Sequence, residues 1–204
     1  MRYLSMPEAV QAVLSGEVII YPTETFFGVG GLALDEKSIL RVYQAKKRNP
    51  SEPLPVIIGH EDQLSLLVEL VPGELITLLR TLWPGPLSVI FSAKREVPSA
   101  LTAGSGKVAV RLTSHPAARE LCLYCGPLTA SSANLAGEPA PAAEELLSAQ
   151  LLDACAGVLD MPPAPKGGLP STLVELVAPN TLRIVRFGAI AAATLSQAGW
   201  TIAE

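Results

Sequence analysis

Val18-Ile19-Ile20-Tyr21-Pro22-Thr23-Glu24-Thr25 is an apolar run that ends at a proline and breaks into hydroxyls around one carboxylate. Consecutive apolar residues bounded by turn formers read as a buried strand, and Pro22, which lacks an N–H, cannot continue it centrally. Upstream, Ser5 and Glu8 have the spacing of a capping box, Val10, Val13 and Leu14 share one helical face, and Gly16 stops that helix. Downstream, Asp35 is placed to cap a second helix carrying Ile39, Leu40, Val42 and Tyr43, which delivers Lys46-Lys47-Arg48 at its C-terminal end. Helix, strand, polar turn and helix in that order set an α/β alternation.

The alternation continues. Strands are expected over 54–58, 87–91, 108–111 and 128–130, and later near 156–160, 172–177 and 182–186. Helices are expected near 61–69 and 73–82, from His115-Pro116 with Ser114 as cap, near 141–149, and from Ala189. The Pro-rich patch Met161 to Pro170 is a loop longer than the usual connection, which marks it as a functional candidate. With 204 residues, no repeat and no linker, the expectation is a single α/β domain over 1–204.

Composition narrows the function classes. Hydrophobic residues make up 49% and charged residues 17%, which excludes wholesale disorder. A net charge of −4 argues against coating nucleic acid through bulk charge, so any RNA contact is local. No apolar run approaches the roughly 18 residues of a membrane span, and the N-terminus lacks a secretory pattern. Three cysteines without framework spacing fit a reducing cytoplasm, so the expected location is cytoplasmic, with no membrane partner. Cys122-Leu-Tyr-Cys125 is a CxxC, but with only His60 and His115 elsewhere a pair of small apolar helix residues is the favoured reading over redox or zinc chemistry.

Familiar catalytic signatures are missing. Gly104-Ser105-Gly106-Lys107 lacks the first glycine and final hydroxyl of a P-loop, and Gly28-Val29-Gly30-Gly31 lacks the third glycine of a dinucleotide fingerprint. No metal-ligand constellation or serine elbow is present, so no protein metal site is expected. What remains is a series of element ends bearing hydroxyls, amides and cations: Thr23 and Thr25, Lys46 to Arg48, Arg111, Ser132 and Asn134, Ser171 and Thr172, and Arg186. Hydroxyls with several cations suit phosphates and a carboxylate. Singly, each has a plainer reading: the lysines and Arg48 complement a helix C-terminus, and Ser131, Ser132 and Asn134 cap a turn.

Taken in order, the set resembles the YrdC-like family, the L-threonylcarbamoyladenylate synthases. The resemblance lies in Tyr21 to Gly30, in Lys46-Lys47-Arg48 with Pro53-Leu54, and in Trp83-Pro84-Gly85-Pro86-Leu87. It continues through Val108-Ala109-Val110-Arg111 with His115-Pro116, Ser131 to Gly137, Pro170 to Leu176, and Val185-Arg186-Phe187-Gly188, over about residues 8–190. It implies a twisted, mostly open mixed sheet flanked by helices, with a concave basic cleft. It implies a nucleotidyltransferase that carboxylates L-threonine with bicarbonate and adenylates the product with ATP, for threonylcarbamoyladenosine in tRNA. By the family's pattern Thr25, Arg111 and Ser171 fall on threonine, and Arg48, Ser132, Asn134 and Arg186 on the nucleotide. Lys46 and Arg48 take the catalytic role beside the phosphates, and Mg²⁺ enters with ATP. Implied partners are a tRNA-modifying threonylcarbamoyl transferase complex downstream and a contact with tRNA or double-stranded RNA. The extra C-terminal domain of longer members is expected to be missing.

The chain departs from the pattern at Asn49, at Glu52 and Ile57 in place of asparagine and histidine, at Lys107 in place of threonine, at Ala142 in place of a hydroxyl, and at Phe187 in place of proline. Glu52 beside a triphosphate repels it unless it faces away or approaches through a metal. These departures keep two alternatives open: a paralogue with a different adenylate-forming activity, and an RNA-binding module.

Overall fold

The computed structural model describes residues 1–203. In chain order the elements are β1 (Tyr3–Leu4), α1 (Met6–Leu14), β2 (Ile19–Pro22), β3 (Phe27–Gly30), α2 (Glu36–Lys46), β4 (Val56–Ile58), α3 (Leu75–Leu82), β5 (Leu87–Ser92), α4 (Ser99–Thr102) and β6 (Lys107–Leu112). They continue with α5 (Pro116–Cys125), β7 (Leu128–Thr129), β8 (Ser131–Ser132), α6 (Ala149–Asp153), β9 (Val158–Leu159), β10 (Thr172–Ala178), β11 (Thr181–Arg186), α7 (Ala192–Gln197) and β12 (Thr201–Ala203). The fold is the expected mixed α/β domain, with its strands divided between two sheets. One has the order β1-β9-β2-β3-β8 and the other β12-β11-β10-β5-β6-β4-β7. No helix of the described residues is long and apolar enough to cross a membrane.

Strand pleating partitions the core. Ile19 and Tyr21 point into a smaller cluster with Leu4, Ala9 and Val13 from the α1 side and Ala117, Leu121 and Cys122 from α5. Val18 and Ile20 point the other way, into the larger cluster that holds Ile39, Val42 and Tyr43 of α2. Ile57 likewise joins the first cluster while Val56 and Ile58 join the second. That two-residue alternation lets a short strand feed both faces. Each fully buried side chain of this kind contributes roughly 1.5–3 kcal/mol.

Local signals account for most element ends. Glu8 accepts from both the backbone N–H and the hydroxyl of Ser5, at 2.9 and 2.7 Å. Asp35 caps α2 by accepting from the N–H groups of Lys37 and Ser38. Several expectations shift. Leu14 and Leu40 are exposed, because Ala9 and Val13, and Ile39, Val42 and Tyr43, already fill the buried stripes. His115 rather than Ser114 stands at the start of α5. The helix expected near 141–149 is a 3₁₀ turn over Glu144–Leu146 followed by α6, capped by Ser148. The segment 61–69 is a 3₁₀ turn over Glu61–Leu66. A last strand, β12, follows α7 and pairs with β11.

The two sheets meet at one residue. β7 pairs with β4 in the larger sheet and β8 pairs with β3 in the smaller one, and only Ala130 separates them. Gly30 packs so tightly on this seam that a Cβ there would lie 1.7 Å from the Thr129 carbonyl oxygen. Here Gly30 has its reason: it admits a second backbone. Gly30→Ala is therefore expected to cost at least about 3 kcal/mol or to prevent folding, since backbone must move. Gly104→Ala, with open space around its Cβ position but a φ of +75°, is the comparison and should cost about 1 kcal/mol. Thermal melting of both variants checks the contrast.

Candidate functional site

A cleft of about 160 Å³ opens along the seam, with one wall from each sheet. Thr23, Thr25, Phe27, Gly28, Ser131 and Ser132 come from the smaller sheet and its turn. Val56, Ile57, Ser88, Arg111, Ser171 and Arg186 come from the larger one, and Arg48 closes the rim. Three arginines and, among the described residues, no carboxylate line it. A second cavity of about 490 Å³ adjoins it and shares Arg48, Pro55, Ser88 and Arg186. Its remaining lining is partly apolar (Leu54, Ile90, Ala109, Leu173, Val185) and partly charged (Glu52, Lys107, Glu175, Arg183).

The turn after β2 is built by its own hydroxyls. Thr23 Oγ1 donates to the Phe26 carbonyl at 2.6 Å and lies 3.2 Å from Thr25 Oγ1, which fixes Thr25 at the cleft floor. Gly167 N–H donates to the Thr25 carbonyl at 2.7 Å, so the Pro-rich loop 161–170 braces the same turn. Arg111, 6% exposed, reaches across from β6 to within 3.4 Å of Thr25 Oγ1. Arg186 Nη2 donates to both the carbonyl and the hydroxyl of Ser171 at 2.9 Å, and Ser171 Oγ lies 2.9 Å from Ser88 Oγ. Burial, and then the charges of Arg111 and Arg48, hold the Arg186 guanidinium below its ordinary pKa. Guanidiniums this close create a field that an anion relieves.

Arg48 pairs with Glu52 at 3.1 Å, and its Nε is buried without a hydrogen-bond partner. Glu52, more than half exposed, therefore screens Arg48 from the mouth. Lys107 pairs with Glu175, which also takes Arg183, and these interactions hold the Glu175 carboxyl below its usual range against the opposing effect of burial. Both departures from the family pattern thus carry a compensating opposite charge.

Of the residues expected from sequence, Thr25, Arg48, Arg111, Ser132, Ser171 and Arg186 converge on the cleft. Lys46 and Asn134 do not line it. Lys46 is 2% exposed, and its ammonium is turned inward to the backbone carbonyls of Ser132 and Asn134. That places the ammonium behind the Ser132–Asn134 loop and off the cleft lining. Asn134 spends its amide on the carbonyls of Leu135 and Glu138, leaving Oδ1 buried and unpartnered. Lys47 is an exposed C-cap in the left-handed region, a solvated charge. Cys122 and Cys125 are free thiols on the last turns of α5, both raised by burial, Cys125 to about 11. Such thiols are poor nucleophiles.

Sequence reasoning gave no role to Ser88, Thr113 or Glu24. Ser88 was visible as the one hydroxyl within the otherwise apolar run Leu87 to Phe91. Glu24 bridges Arg111, at 2.9 Å, and Thr113, whose hydroxyl donates to it at 2.6 Å.

The chain is similar to proteins of one family in sequence and in fold. The family model of Sua5, YciO and YrdC proteins, described as "Telomere recombination", matches residues 11–188. A putative threonylcarbamoyl-AMP synthase of Mycobacterium tuberculosis is 32% identical over 196 residues, covering 96% of this chain and 89% of that protein. The threonylcarbamoyl-AMP synthase of Pyrococcus abyssi is 38% identical over 130 residues, which are 63% of this chain and 38% of that longer protein. The crystal structure of Pyrococcus abyssi Sua5 complexed with L-threonine superposes with a TM-score of 0.90 at 27% identity, over all of this chain and 63% of that one.

Burial, aided by the Arg48 charge, brings the Lys46 pKa down from 10.5 to about 8. Folded Lys46 thus gives up its proton near pH 8 while the unfolded chain keeps it to about 10.5. Between those values the unfolded state binds more protons, so raising the pH stabilises the fold. Wild-type stability minus that of Lys46→Met is expected to rise from pH 8 to 10, as measured by denaturant titration at each pH.

Proposed function

Because the chain belongs to the Sua5/YciO/YrdC family, we propose that it is a threonylcarbamoyl-AMP synthase acting on L-threonine, bicarbonate and ATP. The observation that carries this reading is the convergence of Thr25, Arg111 and Ser171 with Arg48, Ser132 and Arg186 on one cleft that joins a larger cavity. The threonine amine, as the free base, attacks bicarbonate carbon, and an N–H proton leaves with the bicarbonate hydroxyl as water to give a carbamate. A carbamate oxygen then attacks the α-phosphorus of ATP, the bond to pyrophosphate breaks, and threonylcarbamoyl-AMP remains. No enzyme nucleophile is needed; orientation and neutralisation of charge carry the rate.

Arg111 receives the threonine carboxylate, with Thr25 and Ser171 as hydroxyl partners. The carbamate points toward Arg48 and Arg186, which hold the triphosphate with Ser132, while Lys46 acts through the loop it anchors. The larger cavity takes the nucleoside, its apolar side chains against the base. Mg²⁺ bound to ATP as part of the substrate would supply charge neutralisation at the phosphates. The cleft lining offers it no carboxylate, and Glu52 is the cavity's one acid not already shared by two cations. The reaction takes place in the cytoplasm, and the product passes to a tRNA-modifying threonylcarbamoyl transferase complex, with any tRNA contact local.

Pyrophosphate release should require ATP, bicarbonate and L-threonine together; release indifferent to threonine would overturn the reading. Serine and valine are run in parallel, because Ile57 presents an apolar wall where the family pattern has a histidine. Arg48→Ala is expected to lower kcat by about 10²–10³-fold with an unchanged melting temperature. Arg111→Lys should raise the threonine KM about tenfold or more, since it loses the two-pronged carboxylate contact.

A further inference from the structure

The three cleft arginines are compensated to different degrees. Arg186 has only neutral oxygens, those of Ser171. Arg48 faces an exposed carboxylate, Glu52, that solvent screens. Arg111 alone has a buried counter-charge: its side chain and that of Glu24 are 8% and 9% exposed, with Nη1 2.9 Å from Oε1. Glu24 is absent from the cleft lining, so it acts on the cleft from behind.

Thr113 fixes this carboxylate. Its hydroxyl accepts from the His115 N–H at 3.2 Å, so its own hydrogen points to Glu24 Oε2 at 2.6 Å. Thr113 is fully buried and has no other rotamer demand to meet from solvent. Oε1 makes the ion contact with Arg111 outside hydrogen-bond alignment, so the pair is electrostatic more than directional. The guanidinium therefore keeps N–H groups free for a ligand while much of its charge is already cancelled.

We propose that Glu24 is a specificity-determining positioning residue: by offsetting the charge of Arg111 it makes that end of the cleft accept a monoanionic carboxylate and reject phosphate, leaving the triphosphate to Arg48 and Arg186. The inference rests on the assignment of the amino-acid carboxylate to Arg111. Its physical basis is simple. A carboxylate added to the Glu24–Arg111 pair leaves one net negative charge, while a phosphate dianion leaves two in a partly dry site. Without such a bias, polyphosphate would compete for the amino-acid end, because guanidinium forks fit phosphate and carboxylate alike.

The test is direct binding, followed by calorimetry, of L-threonine to wild type, Glu24→Gln and Thr113→Val in the presence and absence of inorganic phosphate. In wild type, phosphate should leave threonine affinity within about twofold. In Glu24→Gln, threonine should bind in the absence of phosphate and lose affinity about tenfold or more when phosphate is added. Thr113→Val keeps the carboxylate but frees it, and should shift the same way by a smaller factor. It also decides the matter should Glu24→Gln not fold. Equal phosphate sensitivity in wild type and both variants would overturn the proposal. A wild type that binds threonine yet releases no pyrophosphate would overturn the proposed function and leave this inference standing.

Discussion

The site depends on one backbone crossing, where Thr129 in β7 gives way through Ala130 to Ser131 in β8. Four groups hold it. Tyr21, fully buried, donates its hydroxyl to the Thr129 carbonyl at 2.5 Å, and Thr129 Oγ1 accepts from the Gly31 N–H at 3.1 Å. Ala130 N–H reaches the Pro55 carbonyl of the larger sheet, and Ala133 N–H the Phe27 carbonyl of the smaller one. The N–H groups of Thr129, Ala130 and Ala133 and the Thr129 carbonyl each find a partner in one sheet or the other, as buried backbone requires. The cleft is the space the two sheets leave as they part from this seam. A buried lysine, Lys46, then holds the outgoing loop by two carbonyls.

The alternation of strands and helices was legible from sequence because the apolar runs are short, bounded by Pro and Gly, and followed by capped helices such as that at Asp35. The split into two sheets was not legible. β7 and β8 are two residues each, and an apolar-then-hydroxyl run from Leu128 to Ser132 reads as one strand. Leu14 and Leu40 misled because a periodic stripe can be wider than the face that a small partner surface covers.

Of the site, the arginines and hydroxyls could be found because they stand at element ends, and their order matched a known pattern. The direction of Lys46 could not be read, since an ammonium at a helix C-terminus serves the dipole equally well whether it faces solvent or a loop. The role of Glu24 was hidden for a different reason. Its partners, Arg111 and Thr113, lie on and just after β6, and nothing local in Tyr21 to Thr25 announces them. The sequence departures at Glu52 and Lys107 looked disruptive in isolation. Each proves to be half of an ion pair, with Arg48 and with Glu175.

In the proposed reading the cleft has an amino-acid end and a nucleotide end, divided by how far each arginine is neutralised, and the chemistry joins the two ends through a single carbamate. That linkage is tested most directly by turnover with carbon-labelled bicarbonate and ATP labelled at the α-phosphorus. The account expects one product that carries both labels together with threonine. Labels recovered in separate products, or an α-labelled adenylate free of the bicarbonate carbon, would contradict it.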